Sequence, residues 1–192
     1  MIRLGLTGGI GMGKSTVAAM FAAHGIPGFN ADDVVHSLQA PHGAAIPALA
    51  AAFPDMVVDG VLNRVGLRAL VLADADKMQC LEQIMHPLVR AARADFMAQK
   101  QDKKAVLFDI PLLFETGAQS DYDKVIAVSC PRAVQIARVL QRGVPLEDIE
   151  AIINRQMPDA KKRALADYVI ENEGSLEATQ IQIQAILKEL GL

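Results

Sequence analysis

Cysteine and histidine are too scarce in this sequence to build a metal cluster or a disulfide framework. The two cysteines, Cys80 and Cys130, are 50 positions apart and form no C-x-x-C pair, and the chain has only four histidines. Zinc sites need several such ligands at close spacing, so this class of site is excluded. We expect both cysteines to be buried free thiols in a reducing compartment.

A basic excess and a long apolar run are missing as well. The 19 lysines and arginines stand against 22 acidic residues, which leaves a net charge of −3. Nucleic acid is therefore not expected as the main partner, although a local basic site could still bind phosphates. The apolar run at residues 1–6 is too short for a signal-peptide core or a membrane span. We expect a cytoplasmic protein with small-molecule substrates and neither nucleic acid nor a membrane as partner.

No internal repeat, low-complexity tract or Gly/Ser linker interrupts the 192 residues, which indicates a single domain. Short apolar runs bounded by Gly, Pro or Asp predict strands at residues 2–7, 26–30, 105–109, 124–129 and 168–171. Apolar residues at helical spacing predict helices at 15–24 and 175–190, and another that starts near Pro131.

The most specific pattern follows the first predicted strand. It fits G-x-x-x-x-G-K-[ST], the phosphate-binding P-loop, and consists of Gly8, Gly9, Ile10, Gly11, Met12, Gly13, Lys14 and Ser15, with Thr16 next in the helix. Glycines let backbone N–H groups approach phosphates closely, and the helix N-terminus favours the anion. Lys14 would reach the β- and γ-phosphates and the Ser15 hydroxyl would bind Mg²⁺, so ATP and Mg²⁺ are the expected ligands.

Together these elements predict an α/β, three-layer P-loop NTPase-type fold with a parallel five-stranded sheet. Its nucleotide-binding core would comprise residues 1–33 and 104–192. Residues 34–103 are too long for a simple crossover and have helical patterning, with predicted helix starts at Asp74 and Pro87. We interpret this segment as a helical substrate-binding insertion, because ligands of open parallel sheets bind outside the carboxyl ends of the strands. The alternative is that it only thickens one helical layer.

Motifs that are missing narrow the P-loop chemistry. The sequence contains no D-x-x-G and no N-K-x-D, which disfavours a GTPase, and the strand that ends at Asp109 is not followed by the water-activating Glu of a motor-type ATPase. A kinase instead needs a group that accepts the proton of the substrate hydroxyl, and basic residues that cover the transferred phosphoryl group.

Asp32 and Asp33 are the candidates for that proton acceptor, because they follow the second predicted strand. Either could act as the base, and Asp33 could instead cap a helix that begins at Val34. Arg138 and Arg142 have i, i+4 spacing on the helix that starts near Pro131, and Arg155 lies on the next helix. We predict that residues 141–160 form a small helical lid whose guanidinium groups bind phosphate oxygens. The competing interpretation is a solvated face, with Arg142 stabilising the helix dipole.

These residues resemble a known family, dephospho-coenzyme A kinase, along nearly the whole chain. Leu6 to Ser15 is similar to the family's L-T-G-G-I-G-x-G-K-S, and Asn30-Ala31-Asp32 to its D-A-D, with Asn in place of the first Asp. Further similar blocks occur in the family's order, and they are Leu62-Asn63-Arg64, His86-Pro87-Leu88-Val89, Ile110 to Glu115, Asn154 to Met157 and Asp167 to Gly174.

The resemblance implies transfer of the ATP γ-phosphoryl group to the ribose 3′-hydroxyl of dephospho-coenzyme A, the last step of coenzyme A synthesis. Asp32 would be the catalytic base, with Lys14, Arg138 and Arg142 stabilising the transferred group. The expected acceptor contacts are Asp32, Arg64, His86, Pro87, Leu112, Leu113 and Glu115, and the expected adenine contacts are Asn172 and Gly174. A P-loop kinase for another nucleoside, nucleotide or hydroxyl metabolite is the alternative enzyme, and a nucleotide-gated binding protein is the alternative outside catalysis.

Overall fold

A computed structural model describes all residues, 1–192, and divides them into two compact units. Residues Met1–Phe29 and Lys100–Leu192 form one, here called the sheet unit, and residues Asn30–Gln99 form the other, here called the helical unit. No helix is both long enough and apolar enough to cross a membrane.

Seven strands are present. They are β1 (Ile2–Thr7), β2 (Gly28–Asn30), β3 (Val57–Val58), β4 (Val61–Leu62), β5 (Ala105–Asp109), β6 (Lys124–Ser129) and β7 (Tyr168–Glu171). Five of them form a sheet in the order β2-β5-β1-β6-β7, in which β1 pairs in parallel with β5 and β6, and β6 with β7. The predicted five-stranded sheet is confirmed, although β2 is two residues shorter than the sequence suggested.

Nine α-helices are present. They are α1 (Lys14–Ala23), α2 (Ala31–Leu38), α3 (Ile46–Ala52), α4 (Arg64–Leu72), α5 (Ala75–Gln99), α6 (Arg132–Leu140), α7 (Leu146–Arg155), α8 (Asp159–Leu165) and α9 (Leu176–Glu189). The ends of α1 and α9 lie within a residue of the predicted ends, and Pro131 is the N-cap of α6.

The core of the sheet unit explains why its strands have nearly continuous apolar sequences. A parallel sheet covered on both faces buries every position, and all five residues of β5 are buried. Against this sheet pack the apolar residues of α1 and α9, among them Val17, Phe21 and Ile183, which are fully buried. The tightly packed β1 therefore fixes the start of the loop that follows it.

The helical unit has a core of its own, in which α5 packs against α2, α3 and α4. The predicted helix start at Asp74 is confirmed, because its carboxylate accepts hydrogen bonds from the N–H groups of Asp76 and Lys77. The predicted start at Pro87 is wrong, since Pro87 lies inside the 25-residue helix α5. A proline in that position removes one backbone hydrogen bond, which the surrounding apolar packing of α5 offsets.

The two cysteines are free thiols, as expected, but only one of them is fully buried. Cys130 is 5 % exposed, and burial raises the pKa of its thiol. Cys80 is half-buried at the edge of the helical unit's core. Neither side chain needs a role beyond packing.

Candidate active site

The P-loop forms the turn between β1 and α1, at the centre of the sheet. Gly13 is the N-cap of α1 and has a left-handed backbone with φ of 92°. A Cβ atom there would collide with Nδ2 of Asn172, so only glycine fits. The Gly13 carbonyl accepts from Val17 N–H, which leaves the N–H groups of residues 14–16 without partners in the helix. This end of α1 is therefore suited to binding phosphate.

Lys14 forms an ion pair that the sequence analysis did not predict. Its Nζ atom lies 3.1 Å from Oδ1 of Asp109, and both side chains are largely buried. Asp109 ends β5 and is in register with Leu6 of the neighbouring β1, so the sheet places its carboxylate beside the P-loop. From the sequence, Asp109 was informative only because no Glu follows it. The available signal was an apolar strand that ends in a carboxylate.

Ser15 and Thr16 lie in the first turn of α1, and both are exposed. The Ser15 hydroxyl and the Asp109 carboxylate are oxygen donors of the kind that Mg²⁺ prefers. Both belong to the sheet unit and flank Lys14, one along the chain and one through the ion pair.

The two predicted lid arginines have different surroundings. Nη1 of Arg138, on α6, is buried and has no hydrogen-bond partner, and it lies 3.6 Å from the position a Cβ would take on Gly13. A buried, unpartnered guanidinium nitrogen beside a phosphate loop is ready to bind an anion. The predicted placement of Arg142 on the same helix is wrong, because α6 ends at Leu140 and the chain turns at Gly143. Arg142 is exposed beyond the helix end.

Asn172, which follows β7, is hydrogen-bonded to the backbone of the P-loop. Its side chain is buried, donates from Nδ2 to the Met12 carbonyl at 2.8 Å, and accepts from Thr179 Oγ1 at 3.2 Å. Gly174 lies in the turn that precedes α9. The adenine contacts assigned to these two residues stay a prediction, and the hydrogen bonds of Asn172 give it a role in shaping the loop.

The loop after β5 contains three of the predicted acceptor contacts. Leu112 is 44 % exposed, whereas Leu113 is fully buried against the core and is a packing residue. Glu115 accepts from the Met157 N–H at 2.8 Å and from Nζ of the buried Lys162 at 2.8 Å. Burial opposes ionisation of Glu115, but these hydrogen bonds outweigh it and lower its pKa. Glu115 is therefore a charged group held in place by two partners.

Asp32 and Asp33 both lie in the first turn of α2, which begins at Ala31. The Asn30 side chain accepts from the N–H groups of Asp32 at 2.9 Å and Asp33 at 3.3 Å, so Asn30 is the helix cap. The predicted capping role of Asp33 is therefore wrong. Asn replaces the family's Asp here without loss of that function, since the two residues cap helices about equally well. Both aspartate side chains are exposed.

Arg64 and His86 belong to the helical unit. Nη1 of Arg64, at the start of α4, lies 3.1 Å from Nδ1 of His36 on α2. His86 lines a cavity of about 570 Å³ between α2 and α5, together with Val35, Met85 and Arg90. Pro87, its neighbour in α5, is not among the residues that line this cavity.

A second cavity, of about 740 Å³, opens beside the P-loop in the sheet unit. Its lining includes Gly9 of the P-loop and side chains from the ends of β6 and β7 and from α6 to α8. Two of these, Gln135 and Gln156, bond the backbone of Ile10. Neither glutamine was predictable from the sequence, because both lie more than a hundred positions from the loop and belong to no local phosphate-binding motif.

Comparison with known proteins identifies the family. A family model described as dephospho-CoA kinase matches residues 2–178. The dephospho-CoA kinase of Mesorhizobium japonicum is 48 % identical over 99 % of this chain and 97 % of its own length. The solved structure of TT1252 from Thermus thermophilus is 35 % identical, with a TM-score of 0.84, and the match covers 98 % of this chain and 97 % of that one. The solved structure of dephospho-CoA kinase from Campylobacter jejuni is 25 % identical, with a TM-score of 0.71, and the match covers 98 % of this chain and 96 % of that one.

A shikimate kinase from Acinetobacter baumannii shares the fold alone. It is 17 % identical, with a TM-score of 0.53, and the match covers the whole of this chain and 94 % of that one. The sequence blocks, the five-stranded parallel sheet and the P-loop with its paired lysine agree with the family match. The chain belongs to the dephospho-CoA kinase family.

Proposed function

We propose that this protein transfers the γ-phosphoryl group of ATP to the ribose 3′-hydroxyl of dephospho-coenzyme A and so forms coenzyme A. The observation that carries the proposal is the Lys14 to Asp109 ion pair at the mouth of a complete P-loop, in a chain that belongs to this kinase family. Because ATP is the phosphoryl donor, we also propose a cytoplasmic location.

The P-loop would bind the ATP phosphates through the N–H groups at the start of α1 and through the Lys14 ammonium. Asp109 holds that ammonium at 3.1 Å before the nucleotide arrives. A group that is already positioned needs little reorganisation as negative charge develops in the transition state. The side chains that would hold Mg²⁺ are Ser15 and Asp109, and the metal would supply neutralisation of the β- and γ-phosphate oxygens.

Arg138 would stabilise the transferred group from the side of α6. Its Nη1 atom is buried without a partner beside Gly13, and an unpaired buried donor of this kind is costly unless an anion binds it. Arg142, which is exposed beyond α6, would join it only when residues 141–160 move as a lid. We assign the larger contribution to Arg138.

The helical unit would bind the acceptor. Asp32 would accept the proton of the 3′-hydroxyl while its oxygen attacks the γ-phosphorus and ADP leaves. Arg64, His86 and Pro87 would contact the rest of the acceptor, and the cavity beside His86 supports that role because it is concave and largely apolar. In the loop after β5, Leu112 would contact the acceptor directly and Glu115 would hold the loop in shape.

The proposal is tested by measuring ADP release in a coupled assay with dephospho-coenzyme A, adenosine, AMP or no acceptor. We expect release to depend on dephospho-coenzyme A. Turnover with adenosine or AMP alone would indicate a kinase for another acceptor. Nucleotide binding without turnover of any acceptor would indicate a nucleotide-gated binding protein.

A further inference from the structure

Ile10, the third residue of the P-loop, is held at both of its backbone polar groups by glutamine side chains. Its N–H donates to Oε1 of Gln156 at 3.1 Å, and its carbonyl accepts from Nε2 of Gln135 at 2.7 Å. Two opposed hydrogen bonds fix the orientation of the peptide groups on either side of Ile10. Those peptide groups belong to the loop that is expected to surround the ATP phosphates.

Gln135 is a rigid anchor for one of these bonds. It lies on α6 and is only 2 % exposed. A buried amide is costly unless it is hydrogen-bonded, and the Ile10 carbonyl is the partner that satisfies it. The hydrogen bond from α6 to Ile10 is therefore anchored in the core of the sheet unit.

Gln156, which makes the other bond to Ile10, is less buried than Gln135. It follows the last residue of α7, has an extended backbone and is half-buried. The helix α7 that it ends comes after the turn at Gly143, within the segment interpreted as a lid. A displacement of α7 would therefore pull on Ile10 directly.

The second glycine of the P-loop is explained by the same contact. A Cβ atom on Gly9 would lie 3.1 Å from Oε1 of Gln156 and 3.2 Å from Nε2 of Gln135. Both distances are shorter than ordinary van der Waals contact, so a larger residue would push the amides away from Ile10. The absence of a side chain at Gly9 lets both glutamines reach the loop.

The next residue ties the end of α7 to a second loop. The Met157 N–H donates to Oε1 of Glu115 at 2.8 Å, and Nζ of the buried Lys162 lies 2.8 Å from the same oxygen. Consecutive residues at the end of α7 therefore bond the P-loop and the loop that follows β5. The position of one helix end is coupled to both.

We propose that Gln156 is a positioning residue that couples the lid helix α7 to the P-loop through the Ile10 N–H. This inference rests on the proposed phosphoryl transfer. With ATP bound, the bond would keep the end of α7 against the P-loop and help to exclude water from the reacting centre, since closed lids favour transfer over hydrolysis. Without it the lid still closes, but the loop and the helix are no longer held together.

The test is Gln156→Met, which keeps the length of the side chain and removes the amide oxygen. Four quantities are measured on the full chain, namely the midpoint of thermal unfolding, ADP affinity by calorimetry, kcat for transfer to dephospho-coenzyme A, and ATP hydrolysis without acceptor. Gln184→Met, at an exposed position of α9, is the matched control. Gln135→Met completes a double-mutant cycle, because both glutamines act on Ile10.

We expect Gln156→Met to unfold at nearly the wild-type temperature. Its rate of transfer should fall by up to about tenfold, which is the worth of one hydrogen bond. Its rate of ATP hydrolysis without acceptor should rise relative to its rate of transfer. The loss should be non-additive with that of Gln135→Met. Coupling is contradicted by an unchanged hydrolysis-to-transfer ratio, by additive effects, or by a loss that follows the unfolding midpoint. Wild-type protein that forms no coenzyme A would contradict the proposed function instead.

Discussion

Lys14 Nζ lies 3.1 Å from Asp109 Oδ1, and the two side chains are only 16 % and 10 % exposed. The pair joins the P-loop to the end of the neighbouring strand β5, in register with Leu6 of β1. The pair fixes the Lys14 ammonium beside the P-loop. If Lys14 and a Mg²⁺ ion act as proposed, Asp109 would both position the lysine and help to hold the metal.

Asp109→Asn should lower kcat at least tenfold and raise the Mg²⁺ concentration needed for half-maximal rate, because the amide keeps the shape but loses the charge that binds the metal. The measurement is steady-state activity over a Mg²⁺ titration. Asp121→Asn, an exposed position in the same unit, is the control. An unaltered Mg²⁺ requirement would mean that Asp109 serves only to hold Lys14.

Asp32→Asn should reduce turnover with dephospho-coenzyme A by about 10²-fold or more, the usual worth of a positioned general base, while ATP affinity by calorimetry changes little. Asp33→Asn is its matched control. Both carboxylates lie in the first turn of α2, so each substitution removes the same small dipole stabilisation. If Asp33→Asn is the inactive variant, the family alignment is off by one residue, and if both variants are active the base is not a carboxylate of this turn.

Arg138→Lys should lower turnover more than Arg142→Lys does. The Arg138 guanidinium has a buried, unpartnered nitrogen beside Gly13, and lysine keeps the charge but not the planar fork that contacts two phosphate oxygens. The measurement is the turnover rate and the ADP affinity of each variant, compared with those of the wild type. A larger loss for Arg142→Lys would place the phosphate-binding cation in the lid instead of on α6.

Glu115→Gln should destabilise the protein by about 3 kcal/mol at neutral pH, because it leaves the buried Lys162 ammonium without its counter-charge. The lowered pKa of Glu115 gives the pH dependence. Its stabilising contribution is complete above the ordinary glutamate pKa of about 4.3 and is lost as the pH falls through the lower folded-state value.

The measurement is urea unfolding of wild type and Glu115→Gln at neutral and acidic pH, with the exposed Glu150→Gln as control. The difference between wild type and Glu115→Gln should narrow as the pH falls. A difference that is constant with pH would show that Glu115 acts by packing and not by charge.

The sequence was sufficient for features set by local pattern. Continuous apolar runs located β1, β5, β6 and β7 to the residue, because buried parallel strands admit no polar alternation. The P-loop was recognisable because its glycines and Lys14 have a fixed spacing that the phosphate geometry imposes.

Features set by tertiary contacts were missed. Pro87 suggested a helix start, but the packing of α5 continues the helix through it. Asn30 is a different case, because its bonds to the N–H groups of Asp32 and Asp33 are local, and the cap was expected at Asp33 instead. The bonds from Gln135 and Gln156 to Ile10 span 125 and 146 positions, and no local pattern predicts such partners.

Phosphoryl transfer can be followed directly by incubating the purified protein with dephospho-coenzyme A and with ATP that is labelled in the γ-phosphate. The label is then located in the product by mass spectrometry. We predict a one-to-one yield of ADP and of coenzyme A that carries the label on the ribose 3′-oxygen, and no such product with Lys14→Ala. Label found only as inorganic phosphate, or on another acceptor in preference to dephospho-coenzyme A, would contradict the proposed transfer to dephospho-coenzyme A.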